Sequence, residues 1–282
     1  MFAGSLANLS NSDLSGIMRL AMWLGIPLVV IGVLFLMWDL GQPSRFMNTL
    51  LKPNSSWISR GSWILTCLLI LTFALFGLWI WPFNLLSNVP VAVTALEVLI
   101  AIFAFGTMLY TGPLLAASKP IPFWNTSMLP ALFAVSAIVA GLEGIDLLLT
   151  LNGLLQVNLP PQTLAIIGHY VAILIPVEMV LVVLYLWGAS QTPTGRFSSK
   201  TVLFGGLAAQ FWVGYVVLGL LVPLLAVTFR FGFVAGQTIP SITLGSALGL
   251  LGSFLLRLII VSAGAKRPIM TFGGLIVLPG DM

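Results

Sequence analysis

Five of the seven carboxylates, Asp39, Glu97, Glu143, Asp146 and Glu178, fall within or at the end of long apolar runs. A charged group at the centre of a membrane helix costs about 2.5–3.5 kcal/mol on insertion scales, so such residues are kept either as glue or for chemistry. As glue they would be protonated, or paired with Arg257, and would hold helices together. As chemistry they would carry protons. Counting residues along helices at about 1.5 Å rise each, Glu97, Asp146 and His169 come towards one membrane face, Glu143 and Glu178 nearer the middle, and Asp39 and Arg257 towards the other. That order is a ladder across a bilayer, the pattern expected of a proton path.

A second group of chemically capable residues gathers on the Asp39 side. Asp39-Leu40-Gly41-Gln42-Pro43-Ser44-Arg45-Phe46 is followed by Lys52-Pro53-Asn54-Ser55-Ser56-Trp57 and Arg60-Gly61-Ser62-Trp63. Further on come Tyr110-Thr111-Gly112 and Pro122-Phe123-Trp124-Asn125-Thr126. Many of these aromatic and basic residues fit an ordinary interfacial belt, where Trp and Tyr collect and Lys and Arg snorkel. A belt explains less well why Asp39, Arg45, Arg60, Tyr110 and Asn125 share one face. A quinone head group needs that mix: donors for its carbonyl oxygens, a proton source and flat apolar walls.

Histidine and cysteine counts narrow the redox options. Cytochromes that clamp haem b between helices use two axial His per haem, and His169 is alone here, so a bis-histidine dihaem anchor is excluded. Ten Met could offer a ligand, yet Met on an apolar helix is ordinarily packing, so no haem is expected. Cys67 is the single cysteine, which rules out an intrachain disulfide and a four-thiolate cluster, and no iron–sulfur cluster or metal site is expected on this chain.

The elements that must position these groups follow from composition. The 282 residues are 59% hydrophobic and 6% charged, with a mean hydropathy of +1.13, whereas soluble domains carry roughly a quarter charged residues. Lipid must cover the outside. A pI of about 9.6 does not indicate nucleic acid, because the eleven Lys and Arg are scattered over short loops. Apolar runs of about 20 residues, the length of a membrane-crossing helix, occur at about 17–39, 60–81, 91–117, 127–150, 163–188, 201–229 and 240–264, separated by turn residues such as Gly41, Pro43, Pro82, Pro120, Pro160, Pro193 and Pro240. The expectation is an all-α polytopic bundle of seven visible spans in one transmembrane domain spanning 1–282, without strands of the membrane-barrel kind. Residues 269–278 are too short and Gly-rich to span and are expected to extend along the interface. No basic n-region precedes an apolar core in residues 1–20, so no cleavable signal is expected. Alternating the spans puts Arg45, Lys52, Arg60, Lys119, Arg196, Lys200, Lys266 and Arg267 on one side and only Arg19 and Arg230 on the other. The positive-inside rule would make the basic side cytoplasmic, though an acidic partner could also attract those charges.

Asp-Leu-Gly-x-Pro-x-Arg-Phe at 39–46, Lys-Pro-x-Ser-x-Trp-x-Ser-x-Gly-x-Trp at 52–63, the Tyr-Thr-Gly and Pro-Phe-Trp-Asn-Thr pair within 110–126 and Leu-Leu-Arg at 255–257 resemble one family. It is the NrfD/PsrC membrane subunits of polysulfide reductase-type complexes, with the DmsC anchors more distant. The resemblance covers nearly the whole sequence and is most specific in its first two stretches. It implies a haem-free quinone module of the cytoplasmic membrane, using menaquinone or ubiquinone in anaerobic respiration. The partners it implies are a ferredoxin-like [4Fe-4S] subunit and, through it, a molybdopterin or other catalytic subunit that acts on the terminal substrate. Tyr110 resembles the family's quinone-site tyrosine, and Asp39 and Arg45 fit its loop near the docking surface. Members usually have eight or more helices, and Gly4-Ser5-Leu6-Ala7 looks like the end of a first helix missing here.

The leading expectation is therefore electron exchange between a membrane quinone and an iron–sulfur partner. Tyr110, Asp39, Arg45, Arg60 and Asn125 would stand at the quinone, and Glu97, Glu143, Asp146, His169, Glu178 and Arg257 on the proton path. The alternative from another class is a proton- or ion-coupled secondary transporter, for which intramembrane carboxylates and Pro176 and Pro223 within spans would serve. A plain anchor without quinone chemistry is the third.

Overall fold

Each apolar run becomes a helix because hydrocarbon offers no partner for a backbone N–H or C=O, and the α-helix satisfies both within itself. The computed structural model describes residues 25–35, 38, 57–78, 90–118, 120–154, 161–232, 239–264, 270–271 and 274–275. In sequence order these form α1 (Gly25–Phe35), α2 (Trp57–Gly77), α3 (Pro90–Ala116), α4 (Met128–Leu154), α5 (Pro161–Ala189) and α6 (Pro193–Phe204). A π-helical segment, Gln210–Leu221, then runs into α7 (Val222–Gly232), and α8 (Ile239–Ser262) completes the bundle. Six stretches are long and apolar enough to cross a membrane: 57–77, 91–116, 128–148, 167–189, 210–228 and 243–262. This is a multi-pass membrane protein. Of the expected first span, 17–39, the described part is helical from Gly25 to Phe35, and the rest lies outside the described residues.

The membrane-crossing helices are largely apolar around their circumference. Large side chains therefore remain on the outside, among them Phe254 (62% exposed) and Val183 (65% exposed), facing the lipid that composition demands. Hydroxyls within the spans bond back to their own helix: Thr72 Oγ1 donates to Leu68 O at 2.6 Å and Thr66 Oγ1 to Ser62 O at 2.8 Å. Two cores result. The smaller joins α1, α2 and α3 through Leu68, Leu75, Ile100 and Ala104, with Ile26 packed against it. The larger fills the space between α4, α5, the π segment, α7 and α8, around Leu132, Val139, Ile175, Tyr215 and Ile259. Helix α3 lies against α4 and links the two, while α8 returns to pack on α4 and on the π segment.

One expectation is corrected. The span predicted as unbroken over 201–229 is interrupted, because α6 ends at Gly205 and the crossing stretch begins at Gln210. The cause is the Gly205-Gly206 pair: a Cβ on Gly205 would strike the backbone of Thr201, and the N–H of Leu207 folds back to Thr201 O at 3.3 Å. The Trp212 indole donates to Leu203 O at 3.0 Å, satisfying a carbonyl at the break. Beyond it the backbone winds with i→i+5 bonding, shown at its end by Val222 N–H donating to Val217 O. In the tail, Met270–Thr271 (β1) and Gly274–Leu275 (β2) pair antiparallel, the only β pairing among the described residues.

Candidate functional site

Two sites take shape, a groove on the flank of the smaller core and a polar seam inside the larger one. The groove begins with an absent side chain. The Tyr110 ring lies so close to Gly61 that a Cβ there would overlap it, so Gly61 seats the tyrosine against α2. Two residues on, Gly112 brings α3 against the backbone of Pro130 on α4. The half-buried Tyr110 and Thr107 are the polar members of an otherwise apolar groove of about 640 Å³, walled by Val29, Val33, Trp38 and Leu65. Phe35 and Trp38 on its rim are 72% and 85% exposed, so the groove opens on the flank of the bundle. Arg60 is exposed next to Gly61, and its guanidinium stacks over Trp57 at 4.8 Å. Neither Arg60 nor Asn125 lines the groove.

The segment containing Asn125 has a structural task. Phe123 is 1% exposed and meets Tyr185 edge-on at 5.3 Å between ring centroids, and the Tyr185 hydroxyl donates to Phe123 O at 2.8 Å. Trp124 Nε1 donates to Ile260 O at 2.8 Å. This clamp ties the α3–α4 connection to the ends of α5 and α8 and leaves Asn125 exposed. Asp39 and Arg45 lie outside the described residues.

The seam runs along the antiparallel contact of α4 and α8. On α8, Ser246, Gly249, Ser253 and Arg257 recur at helical spacing on one face, covering about 16 Å of axis at 1.5 Å per residue. Opposite them on α4 stand Asp146, Glu143, Ser136 and Phe133 in reverse order. Ser246 Oγ donates to Asp146 Oδ2 at 2.9 Å. The Glu143 carboxyl fills the notch left by Gly249, where a Cβ would collide with it. Arg257 donates from Nη1 to Ser253 O at 2.8 Å and sets its guanidinium over Phe133 at 5.7 Å. Glu178 on α5 closes the seam, accepting from the Tyr215 hydroxyl of the π segment at 3.0 Å, with Arg257 within electrostatic reach.

Desolvation along this seam is nearly complete. Glu143, Asp146 and Glu178 are 1%, 4% and 0% exposed, and Ser136 and Tyr215 are 0% exposed. Among the described residues neither carboxyl oxygen of Glu143 has a hydrogen-bond partner. Beside it a cavity of about 10 Å³, lined by Glu143, Asp146 and Ser246 together with Gly168, Pro223 and Val227, is the size of a single water. Burying a carboxyl against such a cavity costs less when water completes its hydrogen bonds.

Of the residues expected on a proton path, the structure brings Glu143, Asp146, Glu178 and Arg257 together. Glu97 is buried separately on α3, and His169 is exposed on α5, next to Gly168. Ser136, Tyr215, Ser246 and Ser253 were not anticipated. The signal for the serines was in plain view: small and polar residues at i, i+3, i+7 and i+11 of α8, on an otherwise greasy helix.

Residues 2–268 match the family described as "Polysulphide reductase, NrfD". The sequence is 27% identical over 272 residues to Protein NrfD of Escherichia coli K12, a match that covers 89% of this protein and 83% of that one. It is 29% identical over 205 residues to the C subunit of polysulfide reductase from Wolinella succinogenes, covering 68% of this protein and 64% of that one. A third relative, the Protein NrfD homolog of Haemophilus influenzae, is 29% identical over 179 residues, covering 61% of this protein and 53% of its own length.

Proposed function

Because the chain belongs to the NrfD family of polysulphide reductase proteins, we propose that it is the membrane subunit of a respiratory oxidoreductase complex, exchanging electrons between a membrane quinone and an iron–sulfur partner. On this reading it resides in the cytoplasmic membrane, and a catalytic subunit of molybdopterin type handles the terminal substrate. The observation that carries the proposal is the Tyr110 phenol, set by Gly61 into the wall of an apolar groove on the bundle's flank. An isoprenoid quinone, menaquinone or ubiquinone, would reach such a groove from the lipid. Its ring would lie against Val33, Trp38 and Leu65, and one carbonyl oxygen would accept from Tyr110. Bound there, the quinone supplies two-electron, two-proton chemistry.

The protein's own residues orient the ring and move protons. Tyr110 holds the head group by its hydroxyl, and Arg60 marks the same end of α2, positioned to meet a partner subunit or a head group. Protons would travel along the seam, by way of Asp146, a water in the small cavity, Glu143, Glu178 and Tyr215. Arg257 stands at its end on the Tyr110 side. Tyr110→Phe removes the donor while keeping the ring on Gly61. Quinone-linked turnover of the purified complex should fall by about 100–10,000-fold, the range for losing one positioned proton donor, with assembly unchanged. Turnover equal to wild type would dismiss Tyr110 from the site.

The broken sixth span and the carboxylates at membrane depth also suit a proton- or ion-coupled transporter. Co-purification separates the two: the quinone subunit brings an iron–sulfur protein with it, and a transporter comes out alone or as a homomer.

A further inference from the structure

The four carboxylates among the described residues, Glu97, Glu143, Asp146 and Glu178, are all buried, whereas Arg196 and Lys200 are exposed one turn apart on α6. The basic pair has no described surface acid to meet. Arg196 spends one N–H on Ser190 O at 3.3 Å, which fixes the stem of its guanidinium against the end of α5.

Helix α6 is two-faced. Gly195, Ser198, Ser199 and Val202 are buried, and the same helix exposes Arg196, Phe197, Lys200 and Phe204. Its small-residue face lies antiparallel on α5: Gly195 abuts Ala189 O, and Ser199 Oγ donates to Leu186 O at 3.5 Å. Its outer face therefore descends alongside the last turns of α5, with Arg196 outermost, Lys200 one turn deeper and Phe204 deeper still. The aromatics there are open to the surroundings: Phe204 is 82% exposed, Trp187 67% and Phe197 49%. On a wheel of 3.6 residues per turn the basic stripe and the aromatic stripe are neighbours. Two cations flanked by Phe197 and Trp187 at their own level, with Phe204 deeper on an apolar flank, make a surface complementary to one molecule, a phospholipid with an anionic head group.

We propose that α6 and the end of α5 form an anionic-phospholipid site, in which Arg196 and Lys200 hold the head-group phosphate, Trp187 packs beside the head group and the start of the acyl chains, and Phe204 lines the path of an acyl tail. This site is separate from the groove and the seam and does not depend on quinone chemistry.

The test uses the full-length protein in phosphatidylcholine vesicles containing either brominated phosphatidylglycerol or brominated phosphatidylcholine at equal mole fraction, read by tryptophan quenching. Wild type should prefer the glycerol lipid by about fivefold for each basic side chain, from the roughly 1 kcal/mol a basic residue gains near an anionic surface. The preference should shrink with salt, weaken in Lys200→Gln and vanish in Arg196→Gln/Lys200→Gln. Trp187→Phe should remove most of the preferential quenching. Lys200 is exposed, so Lys200→Gln preserves the fold and decides the matter if the double variant does not assemble. Equal quenching by the two lipids in wild type, or a preference undiminished in the variants, overturns the proposal. Loss of the preference on adding millimolar inorganic phosphate would assign the pair to a soluble anion instead. Protection of Lys200 from acylation only when a partner subunit is bound, with no lipid preference, would assign the face to an acidic protein.

Discussion

Glu143 and Gly249 are a matched pair, a large ionisable side chain on one helix and no side chain on the other. Gly249→Ala forces the two helices or the carboxyl to move, and overpacking of this kind costs about 1–3 kcal/mol. The thermal midpoint of the purified protein should fall accordingly, and Glu143→Ala on the same background should restore part of it. Additive losses in that double-mutant cycle would show that the two side chains do not share space. Tyr215→Phe removes the hydroxyl that donates to Glu178. Polar contacts between membrane helices average about 0.6 kcal/mol, with the strongest about 1.7, so stability should change little. Proton uptake coupled to quinone turnover should slow much more if the seam conducts. Glu178→Gln and Glu143→Gln should each impair that uptake, and a normal proton stoichiometry in both would return these residues to helix glue.

At the scale of elements, a close approach joins Gly219 of the π segment and Gly252 of α8, whose Cα atoms leave no room for a Cβ on either side. Gly252→Val should prise this contact apart and lower the thermal midpoint more than Leu251→Val, whose side chain is 58% exposed. Equal effects would mean that the two helices do not depend on the contact. The helices themselves were legible from hydropathy, because membrane depth leaves long apolar runs no other structure. Expected and observed ends differ by only a few residues for 57–77, 90–116, 161–189 and 239–262. Facing was harder to read. A helix that is apolar all round has no polar side to mark the lipid, so periodicity cannot say which residues turn inward. For α8 the serine, glycine and arginine stripe carried that information, and for Tyr215 nothing local did, since its partner is 37 residues away. The Gly205-Gly206 break could have been suspected from composition, but the π winding that follows it is set by packing against α8. The loop carrying Trp124 and Asn125 has a second task that its motif did not reveal, since Trp124 and Phe123 clamp it to the ends of α8 and α5.

For the whole molecule, the alternation of spans fixes which connections share a membrane side. In a Cys67→Ser background, Asn125→Cys and Gln191→Cys should be labelled by an impermeant maleimide from one side of oriented vesicles, and Gln162→Cys only from the other. Labelling of all three from one side would break the proposed threading. The clamp joining Phe123, Tyr185, Trp124 and Ile260 lies on the Asn125 side and draws three helix ends together, so the connection over 121–126 should resist proteolysis in the isolated protein. The π segment adds a different property. Wound more loosely than its neighbours, it holds slack in the thread, and loss of one residue between Val216 and Leu218 can be taken up by tightening the coil. The same deletion in α4 or α5 would turn every later side chain by about 100° and scramble the interior.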